Sequence, residues 1–345
     1  MRKPSLTAAV VATGLVFAAT AASAVAAYVP TLTGSQNGTK TTIHITSAKT
    51  DDSTARIEIL SPSASTLTQA PGTTIGTVTA SINAKAISPD AIIPLTGNVI
   101  VADPTKYTSP TDVQCSGAPM NAAVWNLSLT AAGQTLNVPV YVDPAPASLA
   151  ALGVKTVMTT CLASPDVGAA CAPTLCAKLL DVNFTVAGVF GAPASPFWVS
   201  EFTPFTAGTA TPNAAGTVTA LGIDVKPTVT LAAKPGKGKV VVAGKLSVAG
   251  QALTVPGLPV PIFSGTKRVA TAKTSAAGTY VATVKLKKGT ATLRAAVTLP
   301  EIPTGAQGCA AAAAVIPAGS GLGPCVSANI AASAVTSKAV KVKVS

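Results

Sequence analysis

Ala123-Val124-Trp125-Asn126-Leu127-Ser128-Leu129-Thr130 alternates along its length, with Ala123, Trp125, Leu127 and Leu129 on one side and Asn126, Ser128 and Thr130 on the other. Period two belongs to a half-buried strand, whereas a helix would repeat its apolar residues every three to four positions. The same rhythm returns in Leu136, Val138, Val140 and Val142, and in Val182, Phe184 and Val186 set against Asp181, Asn183 and Thr185. Working outward, further strands are expected over 41–46, 55–60, 74–80, 98–102, 155–160, 197–203 and 216–225. Turn-rich stretches such as Gln36-Asn37-Gly38 and Lys49-Thr50-Asp51-Asp52 lie between them. About ten short strands with almost no helical periodicity predict an antiparallel β-sandwich. Trp125 lies close in sequence to Cys115 and is expected beside that cysteine's bridge.

Composition supports an all-β chain. The 345 residues, with 48% apolar content, carry too much hydrophobic material for a disordered protein, while 28 Gly and 27 Pro exclude a helical bundle. A length of this order accommodates two domains. A single His leaves little material for acid–base chemistry at neutral pH.

The first residues address the chain. Arg2 and Lys3 precede an apolar stretch over 8–22, followed by the small-residue sites Ala22-Ser23-Ala24 and Ala24-Val25-Ala26. This pattern predicts a signal peptide over 1–27, cleaved between 24 and 27, and a secreted, extracellular protein. The apolar stretch is shorter than the ~20 residues of a transmembrane helix, and no later segment approaches that length. In an oxidising compartment six cysteines predict three bridges. Domain locality sets Cys309–Cys325 apart; among the other four, Cys115–Cys161 with Cys171–Cys176 closing a tight loop is the expected pairing, and their other pairings stay open. Zinc is the alternative, but it lacks a Cys-x-x-Cys pair and a neighbouring His.

Charge divides the chain near Val225-Lys226-Pro227. Residues 28–225 hold 7 Lys and Arg against 11 Asp and Glu, whereas 226–345 hold 15 Lys and Arg and the single acid Glu301. The expected organisation is therefore an N-terminal disulfide-stapled sandwich over 28–225 and a cationic second sandwich over 226–345. The second region has seven expected strands: 228–232, 239–248, 258–263, 268–274, 279–286, 291–299 and 334–344. An Ala-, Gly- and Pro-rich excursion over 300–328, closed by Cys309–Cys325, interrupts it.

Gly257-Leu258-Pro259-Val260-Pro261-Ile262, Gly265, Val269-Ala270-Thr271-Ala272-Lys273-Thr274, Gly278-Thr279-Tyr280 and Gly289-Thr290-Ala291-Thr292-Leu293-Arg294-Ala295 together resemble bacterial Ig-like and carboxypeptidase-regulatory-like domains. The resemblance covers about 230–298 and implies a non-catalytic β-sandwich used for display, spacing or ligand contact. The excursion departs from that pattern. More loosely, the first region is similar to secreted β-sandwich proteins of high-GC Gram-positive bacteria with no assigned role.

Few residues can carry chemistry. His44, in Thr42-Ile43-His44-Ile45-Thr46, falls opposite Ile43 and Ile45 and is expected to face solvent. A Ser-His-Asp triad would have to use it, and no Gly-x-Ser-x-Gly elbow accompanies it. Glu201, in Phe197-Trp198-Val199-Ser200-Glu201-Phe202, offers an aromatic setting for sugar contact or a glycosidase carboxylate. Asp51-Asp52 lacks the rest of a calcium loop, and Gly319-Ser320-Gly321-Leu322-Gly323 lacks the strand and helix of a phosphate loop. No cofactor or metal is expected.

Lysine patterning is the strongest signal. In Thr283-Val284-Lys285-Leu286-Lys287 and Val340-Lys341-Val342-Lys343-Val344 the apolar residues take one face and the lysines the other, and Arg294 alternates with Leu293 and Ala295. A hairpin at Lys288-Gly289 followed by the last strand would set Lys285, Lys287, Arg294, Lys341 and Lys343 on one sheet face, a candidate surface for polyanions. Adjacent strands ~4.8 Å apart lie within the ~8 Å Debye length, so such charges act together. Lysines on strand faces also maintain solubility and discourage edge pairing, and that reading stays open. The expected function is envelope association or extracellular binding without catalysis, the partner being an anionic envelope polymer or an acidic protein surface. Specific nucleic-acid binding is not expected, because Lys outnumbers Arg and aromatic interleaving is lacking. The alternative is a secreted carbohydrate-active enzyme or carbohydrate-binding module using the strand around Glu201.

Overall fold

The computed structural model describes residues 28–66, 68–84, 91–131, 133–150, 152–167, 177–248, 251–253, 255–304, 308–310 and 320–344. The expected signal peptide and the Cys171–Cys176 pair lie outside them. The described chain is all-β, built from antiparallel sheets with short helical turns.

The alternating segments of the first region become β1 (Thr31–Asn37), β2 (Lys40–Thr46), β3 (Thr54–Ser61), β4 (Thr74–Asn83), β5 (Ile92–Ala102), β6 (Ala123–Ala131), β7 (Gln134–Pro144), β8 (Thr156–Cys161), β9 (Lys178–Ala187), β10 (Phe197–Pro204) and β11 (Val218–Ile223). They hydrogen-bond in the order β1-β2-β9-β4-β5-β6-β7-β8-β3-β10-β11. This sheet curls until β1 packs over β10 and β11. Two glycines permit that approach. A Cβ at Gly34 would sit 2.3 Å from the Trp198 ring, and one at Gly222 only 2.7 Å from the Gly34 nitrogen. The inward side chains of all eleven strands then form one core, with Phe190 packed edge-on between Trp125 and Trp198.

Trp125 does not lie beside the bridge as expected. It points into the curled core, whereas Cys115 packs on the other side of the sheet with Val124 and Tyr141. One step along a strand reverses the face. Cys115 itself sits on a helix not foreseen from periodicity, α1 (Pro110–Ser116), capped by a reciprocal Ser109–Asp112 box and ended by Gly117 at φ 76°. These are ordinary helix start and stop signals, compressed into seven residues. The helix positions Cys115 for its bond to Cys161 at the end of β8.

The second region contains β12 (Thr228–Val229), β13 (Ala232–Gly236), β14 (Lys239–Val248), β15 (Gln251–Ala252), β16 (Pro259–Ser264), β17 (Lys267–Lys273), β18 (Thr279–Lys285) and β19 (Gly289–Leu299), followed by β20 (Ile302–Pro303), β21 (Cys325–Ile330), β22 (Ser333–Thr336) and β23 (Val340–Val344). One sheet is centred on β14, flanked by β12, β13, β15 and β18; the other runs β17-β16-β19-β22, with β23 also on β19. Val240, Val242, Tyr280 and Val284 from the first sheet meet Val260, Ile262, Leu293 and Val342 from the second. The expected closing strand is broken into β22 and β23, both on β19.

The excursion has a different place from the one expected. β21 adds in parallel to β11, and β20 pairs with β21, so both extend the first region's sheet to 13 strands. The chain therefore passes between the two regions three times, near 225–228, 299–302 and 330–333. Cys309–Cys325 closes this returning strap, as its spacing suggested.

The first region's interior is incompletely filled. A cavity of about 260 Å³ lies among inward side chains including Ile59, Leu127, Met158 and Phe184.

Candidate functional site

The cationic residues occupy both outer faces of the second region's sandwich. Lys285 does not join Arg294, because β18 pairs with β14 rather than with β19 and the chain turns a corner between sheets at 286–288. Lys285 stands directly across from Lys239, with exposed Lys234 and Lys245 on the same sheet. Lys287 lies exposed in the corner. The expected single surface for Lys285, Lys287, Arg294, Lys341 and Lys343 is thus divided, because burial of both sheets' apolar rows turns their polar rows in opposite directions.

Arg294, Lys341 and Lys343 do come together on the second sheet. Lys341 is opposite Thr292 and Lys343 opposite Thr290, placing them diagonally along the strand from Arg294. The structure adds two residues not singled out before. Phe263 on β16 is opposite Arg268 on β17 and Arg294 on β19. The Arg294 guanidinium stands 5.6 Å from the Phe263 ring centroid, within cation–π range. This contact holds Arg294 over the ring, so the charge loses less freedom when it binds an anion. The alternation around Phe263 was visible in sequence, but its two arginines come from separate strands that only pairing unites. Among the described residues of the second region, the one Lys or Arg in an ion pair is Lys226, which contacts Asp224 at 3.2 Å.

The second region's lone acid is turned away from this face. Glu301 accepts from His44 Nδ1 at 2.9 Å, from Asn329 Nδ2 at 2.9 Å and from Thr33 Oγ1 at 3.3 Å. His44 Nε2 meets Asp181 at 2.8 Å. His44 is therefore a half-buried imidazolium between two carboxylates rather than a free solvent-facing side chain. The hydrogen bond to Glu301 raises its pKa to about 9, against the opposing effect of burial and with Asp181 adding to the rise. Burial acts to raise the Glu301 pKa, but donation from His44 and Asn329 outweighs it and holds the carboxyl below its usual range. The cluster resembles a catalytic triad only in composition: both imidazole nitrogens are engaged by carboxylates, leaving neither for a serine hydroxyl.

Glu201 has a similar binding role within the fold. Its Oε1 accepts the Gly323 N–H at 3.0 Å, and burial raises its pKa. It also lies across from Glu58, whose Oε1 accepts from Arg56. Trp198 and Phe202 are in the core, so Phe197 supplies the partly exposed ring of this strand. Asp51 accepts from Ala48 N–H at 2.9 Å within its turn. No group of three potential metal-ligating side chains occurs among the described residues, and no helix there is long and apolar enough to cross a membrane. The two disulfides and the lack of such a helix among those residues are compatible with an extracellular protein. No protein-family model matches the chain, and no curated protein matches it.

Proposed function

We propose that this is a secreted, non-catalytic binding protein of the extracellular space or cell envelope, whose second region engages an anionic surface polymer. The observation that carries this reading is the row Arg268–Phe263–Arg294, continued by Lys341 and Lys343, on a sheet face whose region keeps its one carboxylate elsewhere. Flexible lysines supply charge, while Arg294 stacked on Phe263 supplies a positioned donor for phosphate or carboxylate groups. A strand repeat of ~4.8 Å brings these charges within one screening length. The resemblance of residues 230–298 to bacterial Ig-like domains agrees with a binding module.

The test is binding of the full mature chain to poly(glycerol phosphate), measured from 50 to 300 mM salt. Ionic contact predicts steep weakening over that range, by the release of condensed counterions. Arg268→Glu with Arg294→Glu should reduce binding at least tenfold, whereas Lys285→Glu on the opposite sheet should have a much smaller effect. Salt-independent binding, or equal losses from the two faces, would refute the assignment. Preferential binding to an acidic protein would replace the polymer as partner.

A further inference from the structure

Among the described residues, the wall of the first region opens into the cavity where β7 and β8 cease to pair. β7 runs through 11 residues, but only Tyr141–Pro144 pair with β8. Among the described residues, its earlier half, through Leu136 and Val138, is paired to β6 on one side alone. β8 stays paired with β3 along its whole length, Thr156–Cys161, and ends there. Leu136 and Val138 form one lip of the gap, and Leu162 and Leu179 approach from the other. All four are partly exposed, whereas Ile59, Leu127, Met158 and Phe184 behind them are buried. The lining thus grades from an accessible aliphatic rim to a buried aliphatic interior.

We propose that this cavity binds the hydrocarbon chain of a single-chain amphiphile, entering between β7 and β8 and leaving its polar head at the rim beside exposed Asn137. Well-packed interiors hold few voids larger than water, so an aliphatic space this large is unusual for a purely structural core. Water gains little there, because the interior offers almost no hydrogen-bond partner. A cavity of 150 Å³ lined by similar side chains accepts benzene; scaled to about 260 Å³, the volume suits roughly ten carbon atoms. The lining contains few rings and no charged side chain, which favours an extended aliphatic chain over a polar or ionic ligand.

The experiment titrates the mature protein with straight-chain alcohols and with the corresponding fatty acids, from six to fourteen carbons, below their critical micelle concentrations. Methyl NMR of Met158, Ile59 and Leu127 reads occupancy. Affinity should rise about fourfold per added methylene and level off near ten carbons. Alcohols and acids should share this cut-off, their difference reporting the head group alone. Ala80→Leu places three further carbons in the cavity and should move the cut-off to about seven. Leu136→Trp narrows the rim without altering the deep core and should slow or abolish entry. Failure of the natural sequence to bind, a constant affinity across chain lengths, or an unchanged cut-off in a folded Ala80→Leu variant would overturn the proposal.

Discussion

The two regions solve one packing problem in different ways. The first bends a single long sheet around its interior and leaves space inside; the second closes two small sheets face to face over a core from which Val240, Ile262 and Leu293 are wholly excluded from solvent. Their surfaces differ as well, the first mildly acidic and the second strongly basic. The contrast teaches that curvature, rather than strand composition, decides whether aliphatic rows fill or frame an interior. Both regions use the same alternating Val, Ile and Leu. The strap carrying β20 and β21 joins them, and the basic region's one carboxylate travels with it to His44.

That comparison is most forcefully broken at the staples. Replacing Cys115 and Cys161 by Ser removes the restraint on a loop with sequence separation 46, and should destabilise the first region by about 4 kcal/mol. Denaturant unfolding with probes in each region checks it; equal loss in both would mean that the regions unfold as one unit. The packing contrast is sharpened by paired enlargements. Ala295→Leu, in the filled second core, should cost about 1–3 kcal/mol, whereas Ala80→Leu, beside the cavity, should be neutral or stabilising in the same thermal-melt series.

The joint between the regions is pH-sensitive. The pKa of His44 is raised when folded, so its stabilisation is fully present below its unfolded value near 6.5 and is lost as pH rises through about 9. Glu301 has the opposite dependence: its lowered carboxyl pKa stabilises the fold above its unfolded value and loses that contribution under acid conditions. His44→Gln should therefore cost about 1–2 kcal/mol near pH 6, after allowance for screening, and much less at pH 10. Amide exchange in β20 and β21 would localise the loss. The smallest effect belongs to the exposed charges: Arg294→Glu and Lys285→Glu should each alter stability by less than about 0.5 kcal/mol, as read by denaturant melts, even where polymer binding separates them.

Much of the first sheet was legible because its apolar residues alternate over long runs. β1 was not, since Thr31–Asn37 contains one large apolar side chain, Leu32, and depends on Gly34 to lie against Trp198. Lys178 gave no local sign of burial, yet its ammonium donates to the carbonyl oxygens of Lys49 and Asp51. Arg294 and Lys341 were recognisable as outward residues from alternation alone. Their separation from Lys285 was not, because alternation assigns faces within a strand but not strands to sheets.

The order of residues by itself determined most of the long alternating strands, the change of charge near Val225, and the Cys309–Cys325 bridge, whose cysteines stand apart from the other four; structure selected Cys115–Cys161 from the pairings left open. Tertiary structure decided that β18 leaves β19 for another sheet, that β20 and β21 return to the first region, that His44 becomes a charged link, and that a cavity remains. The physical reason is range. Side-chain alternation and turn chemistry act over a few residues, whereas strand partnership, ion pairing and the filling of space depend on segments brought together from as far apart as β1 and β21.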